Sequence, residues 1–344
     1  MPLRAKQATF FAAKLLLSIG VLIYLVRRLD LDQLRTNLFA VDPWMFLLAL
    51  VLVGSQCLIV NGRWMLIMRS LGVTIEWLAG MRILMISLWF NQVLPSSAGG
   101  DVVRIWLLRR RGVQWSQAVK GVMADRFTAL LGLVALMVAG LPFLVMRVHN
   151  SAAELAIGGL AAAGVAGTIF LLTLDRWPAR IIALGPIASF VRFGVLIRFL
   201  LLQFQQRGRL FGSAILIHLM TAASCYVLAI GLQANLSVLD ALIFFPPVIL
   251  LTAVPISISG WGVREGAMVA CLALAGVSPA KALAISLLMG AISVIIGVVG
   301  GIVWLTSPER GKFTAAQAVA MAEDASGPLL DDGLEPTSDM PTSP

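Results

Sequence analysis

Charge is what this chain has least of. Only 12% of its 344 residues are Asp, Glu, Lys or Arg, about half the share of a soluble domain, while 59% are hydrophobic. Mean hydropathy is +0.94. That balance excludes a water-soluble globule. Cysteine is scarce too: Cys57, Cys225 and Cys271 each sit alone in apolar sequence, which excludes a disulfide framework and a thiolate metal motif. They read as small buried hydrophobes. No G-x4-G-K-[ST] stretch occurs, which excludes P-loop hydrolysis of ATP, and H-E-x-x-H, paired C-x-x-C and G-x-S-x-G are missing as well. No metal or other cofactor is expected. Nor is there a hydrophilic stretch long enough to house a large soluble substrate or nucleotide, so an enzyme is not the expected class.

What is present is apolar and long. Pro43–Val60, Phe127–Met146, Leu155–Leu174 and Ala282–Pro308 carry no charge, and each is near or above the roughly 18 residues of a spanning helix. The pattern predicts helices over about 9–27, 43–68, 118–146, 152–174, 209–233 and 280–305. Arg4 and Lys6 precede the first, but no small-residue cleavage pattern follows it. It reads as a retained helix with Lys14 reaching toward the headgroups. From Phe313 onward there are six acidic residues and no lysine or arginine, in sequence too polar to build a core, so 307–344 reads as a disordered acidic tail. The remainder, 1–306, reads as one membrane domain. The formal net charge of +9 therefore hides a larger basic excess in the membrane part, where it reports orientation and not nucleic acid binding.

Two apolar segments, 76–109 and 238–276, are interrupted. The first contains Pro95-Ser-Ser-Ala-Gly-Gly100-Asp-Val-Val-Arg104, the second Pro255-Ile-Ser-Ile-Ser-Gly260-Trp-Gly-Val-Arg264. Both read P-x4-G-x3-R. Proline stops a helix and glycine permits the tight turn, so Pro95, Gly99, Gly100, Pro255, Gly260 and Gly262 read as hinge geometry. The predicted architecture is all-α: a polytopic membrane protein of about six spanning helices plus two re-entrant helical hairpins. Irregular backbone at membrane depth survives only where it is buried in protein or lines a wet cavity.

Basic residues orient this arrangement. Residues 104–126 hold Arg104, Arg109, Arg110, Arg111, Lys120 and Arg126, and 176–209 hold six more arginines, whereas 232–263 hold none. The rich regions should be cytoplasmic, with both termini on that side. The two hairpins then open from opposite faces, as an inverted repeat with halves around 76–146 and 238–305. Broken helices at matching positions in two halves point to a transporter-like binding site. Arg27, Arg28 and Arg35 run against this orientation and are partly offset by Asp30, Asp32 and Asp42. Between 190 and 204 an apolar face of Phe190, Phe193, Ile197, Leu200, Leu201 and Phe204 suits a helix lying in the inner interface.

Arg104 and Arg264 are the leading site candidates. A charge at membrane depth costs at least about 2.5–3.5 kcal/mol and needs a partner or a wet cavity. Asp101 and Glu265 are adjacent in sequence and could pair with them. The guanidinium fork matches phosphate oxygens, and the helices after Gly100 and Gly260 offer free N–H groups to an anion. The same arginines could equally form structural pairs that touch no ligand. Asn91 and Gln92 could bond exposed backbone or a ligand. Asp125-Arg126 is either a gate or pairing site or a surface pair. Lys281 reads as an interfacial snorkelling lysine, and His218 as a partner in an interhelical hydrogen bond. Gly158, Gly159, Gly164, Gly167, Gly290, Gly297, Gly300 and Gly301 read as close helix packing, not as a site.

The run Asn91-Gln-Val-Leu-Pro95-Ser-Ser-Ala-Gly-Gly100-Asp-Val-Val-Arg104, followed by Ala124-Asp125-Arg126, resembles the flippase-like membrane region of lysylphosphatidylglycerol synthases. So does Pro255-Ile-Ser-Ile-Ser-Gly-Trp-Gly-Val-Arg264-Glu265-Gly266, followed by Gly276-Val277-Ser278. The resemblance covers about 8–306. It implies a bacterial inner-membrane protein that moves, or helps to move, a lipid between leaflets. Full synthases add a soluble aminoacyl-transferring domain, which these residues do not contain, so lysine transfer is not carried over. Stand-alone relatives are linked with various lipids, including isoprenoid-type ones. The expected partner is therefore membrane lipid, anionic in headgroup, bound between the hairpins. Two alternatives stand beside it: an intramembrane enzyme using Asp101, Asp125 or Glu265, and a scaffold for a lipid-modifying enzyme partner.

Overall fold

A computed structural model describes residue 20 and residues 31–94, 99–148, 150–176, 185–253 and 260–310. Among these residues there is no strand. The helices are α1 (Leu31–Phe39), α2 (Pro43–Ser70), α3 (Trp77–Val93), α4 (Gly99–Arg110), α5 (Trp115–Arg147), α6 (Ser151–Thr173), α7 (Gly185–Arg198), α8 (Arg207–Gly231), α9 (Val238–Ala253), α10 (Val263–Leu274) and α11 (Pro279–Leu305). Five of them, α2, α5, α6, α8 and α11, are long and apolar enough to cross a membrane. Each matches a span read from the sequence. The sixth, at 9–27, lies outside the described residues apart from Gly20, as do Pro95, Pro255 and the tail beyond 310.

The interrupted segments form short helices. At 1.5 Å per residue, the 12-residue α4 and α10 are about 18 Å long, well under a hydrocarbon core of about 30 Å. Each packs against the helix before it, α4 on α3 and α10 on α9.

The packing repeats in the two halves. Helices α2 and α8 correspond and lie against each other. Helix α3 lies on α11 as α9 lies on α5. Helix α4 meets α5 as α10 meets α11, and α2 meets α3 as α8 meets α9. The turns repeat as well. The N–H groups of Val73 and Ala234 reach back to the Met68 and Ala229 carbonyls, closing α2 and α8. Those of Val113 and Val277 reach back to Leu108 and Leu272, closing α4 and α10. This six-to-one bond needs a left-handed residue at the turn. Gly72, Gly112 and Gly276 supply it with φ near +80°, and Gln233 does so at φ 51°.

The hairpins enter the bundle from opposite ends. The base of α3–α4 shares its end with the close of α2, the start of α5 and the exit of α11: Gln117 Nε2 donates to the Leu71 carbonyl, and Arg111 lies 3.7 Å from Glu309. The base of α9–α10 sits at the other end. There Arg147, closing α5, forms an ion pair at 3.0 Å with Asp240 of α9, and the Asp42 N–H, before α2, donates to the Gly231 carbonyl that ends α8. Lys281 also lies at this end, where its ammonium donates to the Gln233 carbonyl at 2.7 Å. Arg109 and Arg110, closing α4, and Arg207 and Arg209, opening α8, lie at the first end.

Small residues decide how closely the swapped arms approach. A Cβ on Gly300 would lie 1.9 Å from the Met85 carbonyl oxygen, and one on Gly301 2.9 Å from the Trp89 ring, so α11 admits α3 only because these positions lack side chains. Gly297 receives Gln92 and Gly164 receives Val134 in the same way. Gly159 and Gly167 differ from expectation: nothing lies within 4 Å of a Cβ there, so they make no close packing. In α7 and the turn after it, Ile197 and Leu200 of the predicted apolar face are buried, with Phe193, Leu201 and Phe204 packed beside them against protein, while Phe190 departs from expectation and stays exposed.

Candidate functional site

Helix α4 begins at a tight junction. The Gly100 N–H donates to Asn91 Oδ1 at 2.9 Å, and a Cβ on Gly100 would stand 2.1 Å from the Ser87 carbonyl oxygen. Asn91 thus caps the half-helix, which is the backbone role among the two its sequence allowed. About one turn on, Arg104 is 2% exposed. Its guanidinium stacks 3.8 Å above the Trp64 ring, and its Nη1 donates to Asp125 Oδ2 at 3.1 Å. The second oxygen of Asp125 accepts from Arg63 Nε at 2.9 Å.

One buried carboxylate therefore serves two buried guanidinium groups. Asp125 is no surface pair. Asp101 does not hold Arg104: its two oxygens take Nε and Nη2 of Arg126 at 2.8 and 2.9 Å. That second pair is neutral and stands at an edge, with the Arg126 side chain 53% exposed. The count in the core is thus Arg63 and Arg104 against Asp125 alone, one positive charge in surplus. The hydrogen bonds tell the same story: Arg63 Nη1, Arg104 Nε and Arg104 Nη2 are buried without an acceptor. Buried N–H groups of this kind call for an explanation.

The second half is balanced. Gly260 and Gly262, at φ 81° and 85°, make the turn into α10, and Glu265 reaches back so that the Gly262 N–H donates to its Oε2 at 2.6 Å. Glu265 is fully buried. Its other oxygen accepts from Arg264 Nη2 at 2.6 Å, Arg264 Nε at 2.9 Å and Ser286 at 3.2 Å. Arg264 also lies 4.7 Å from the centre of the Trp261 ring. Gly290 makes room for it: a Cβ there would be 2.5 Å from Arg264 Nη2. This glycine serves the arginine, contrary to its reading as plain helix packing. Counting along α5 and α11 from Ala118 and Ala282, Gly290 occupies the place of Arg126 and Met289 that of Asp125. The first half pairs its arginines across helices, while the second pairs Arg264 with its own neighbour.

Among the described residues no hydrogen bond or ion pair joins the Arg104 network to the Arg264 network. The sequence puts both arginines at one midplane site; the structure gives each its own carboxylate. Arg63 is the functional candidate that sequence reasoning missed, although an arginine inside the apolar run of α2 was the signal. His218 donates to the Ala129 carbonyl across α8 and α5 at 2.8 Å, the expected interhelical bond. No cluster of three or more His, Cys, Asp or Glu that could hold a metal occurs among the described residues.

Five helices long and apolar enough to span, in two sets whose contacts correspond, define a multi-pass membrane protein. The chain belongs to the family described as the lysylphosphatidylglycerol synthase TM region, whose model matches residues 11–301. No curated protein matches it. Membership ties the chain to membrane lipid chemistry in the broad sense.

Proposed function

We propose that this chain is a lipid flippase or lipid transporter that takes an anionic phospholipid or lipid-phosphate headgroup, and that it is not an enzyme. The observation that carries the reading is the surplus buried cation of the first half, with three buried N–H groups that no protein acceptor meets. An ion held at membrane depth costs several kcal/mol unless compensated, and a headgroup phosphate supplies both the charge and the acceptors. Two hairpins entering from opposite ends give the halves the geometry that alternating access uses. The arginine-rich end faces the cytoplasm of a bacterial inner membrane in this reading, with both termini on that side. Headgroups cross along polar side chains while acyl tails stay in the bilayer.

The test is reconstitution of the purified chain into liposomes with a fluorescent phosphatidylglycerol, followed by a quencher that reaches one leaflet only. Movement of lipid by the pure protein supports the proposal. A change in lipid mass points to the intramembrane enzyme, and silence in both assays points to a scaffold for a lipid-modifying enzyme. Either of those outcomes overturns it.

A further inference from the structure

Between the close of α2 and the start of α8 lies a cavity of about 350 Å³. That volume lies in the range of small-molecule sites. Arg63, Arg69 and Arg209 line it together with Ser213, Trp77 and Leu66, and none of its lining residues is acidic. Arg69 and Arg209 are exposed and have no carboxylate partner among the described residues. Arg63 is different: 4% exposed, bound through Nε to Asp125, and with Nη1 buried and unpartnered. Arg63 is therefore the residue that the cavity wall and the buried network share.

We infer that this cavity is the loading site for a phosphate-bearing headgroup, held by Arg69 and Arg209 at its mouth and Arg63 at its floor. The reading rests on the proposed lipid transport and supplies its entry point. Trp77 stands at the start of α3, where an indole suits the headgroup level. Leu66 gives the wall an apolar surface that an acyl chain can lie against. Ser213, on the α8 side, adds a hydroxyl for a phosphate or glycerol oxygen. Phosphate is the shared chemistry of a lipid headgroup and of free inorganic phosphate.

The experiment reads binding alone, so that failure of transport and failure of this site can be told apart. The purified chain in mild detergent is titrated with phosphatidylglycerol carrying brominated acyl chains. The signal is the quenching lost when Trp77→Phe removes the reporter. Arg69→Ala/Arg209→Ala weakens binding roughly thirtyfold, about fivefold per arginine. Arg176→Ala/Arg207→Ala, two exposed arginines that do not line the cavity, changes it less than about threefold. Both double variants alter only exposed side chains, and thermal midpoints near that of the unaltered chain show that they fold. Displacement by millimolar inorganic phosphate supports a site that reads phosphate from either source. Resistance to it supports a site that also needs the lipid's tails. An unchanged affinity in the Arg69/Arg209 variant overturns the inference, as does an equal loss in the Arg176/Arg207 variant. Binding that persists while liposomes show no transport leaves this site standing and removes the transport reading.

Discussion

Replacing Asp125 with asparagine should do more damage than any other loss of one charge in this chain. Asp125 is buried between Arg63 and Arg104, and the neutral amide would leave two guanidinium groups facing each other with no anion. Removing one partner from a buried pair costs about 3–5 kcal/mol, because the desolvated charge stays behind. Asp101→Asn is the control. Its partner Arg126 stands at an edge, with about half of its side chain uncovered by protein, so no charge is sealed in the core and the cost should be smaller, about 1 kcal/mol. A triple change, Arg63→Met, Arg104→Met and Asp125→Leu, removes every charge together and should recover most of the lost stability, since apolar groups of similar volume need no partner. Equilibrium unfolding in mixed micelles, followed by circular dichroism, measures all three. If Asp125→Asn loses no more than Asp101→Asn, the buried two-to-one network does not exist as described.

Gly300→Ala drives a Cβ against the Met85 backbone, which cannot yield as a side chain would, and should cost at least about 1–3 kcal/mol in the same assay. Gly159→Ala meets nothing and should hold or slightly raise stability. Gly290→Ala should push the end of Arg264 off the fully buried Glu265, at a cost of up to about 3–5 kcal/mol because the carboxylate loses its partner, and cut lipid movement in liposomes as deeply as Arg264→Ala does, by tenfold or more; full activity in both variants removes Arg264 from the mechanism. In a background without Cys57, Cys225 and Cys271, single cysteines at Gln114 and Ser278 should react with impermeant thiol reagents from opposite sides of the membrane. Labelling from the same side would end the inverted arrangement.

The spans were legible because long charge-free runs admit few readings. Both breaks were legible because proline and glycine interrupt such runs. The offset between the motifs also held meaning: P-x4-G-x3-R recurs after 160 residues, whereas the turns at Gly112 and Gly276 recur after 164. One helical turn is thus gained between arginine and turn in the second half, which places Arg264 second in α10 and Arg104 sixth in α4. Neither motif reveals which carboxylate each arginine finds. Glu265 follows Arg264 in sequence and also caps its helix, so that pair could be guessed. Asp101 stands three residues before Arg104 on the same helix, yet Arg126 takes it from a different helix. Pairing across helices depends on the rotation of α5 against α4 and α2, which periodicity in uniformly apolar helices does not define. Arg63 escaped for a related reason: it falls inside a run read as a span, and nothing in that run points to Asp125, 62 residues on, as its partner.

The most direct measurement compares leaflet exchange of phosphatidylglycerol and phosphatidylcholine in the same liposomes, for the unaltered chain and for Arg63→Gln. That variant keeps the neutral Arg104–Asp125 pair and deletes only the surplus cation. The unaltered chain should move the anionic lipid at least tenfold faster, and Arg63→Gln should lose most of that preference while still unfolding near the same temperature. Equal rates for the two lipids in the unaltered chain, or a preference untouched by the substitution, would contradict a headgroup drawn to unbalanced positive charge.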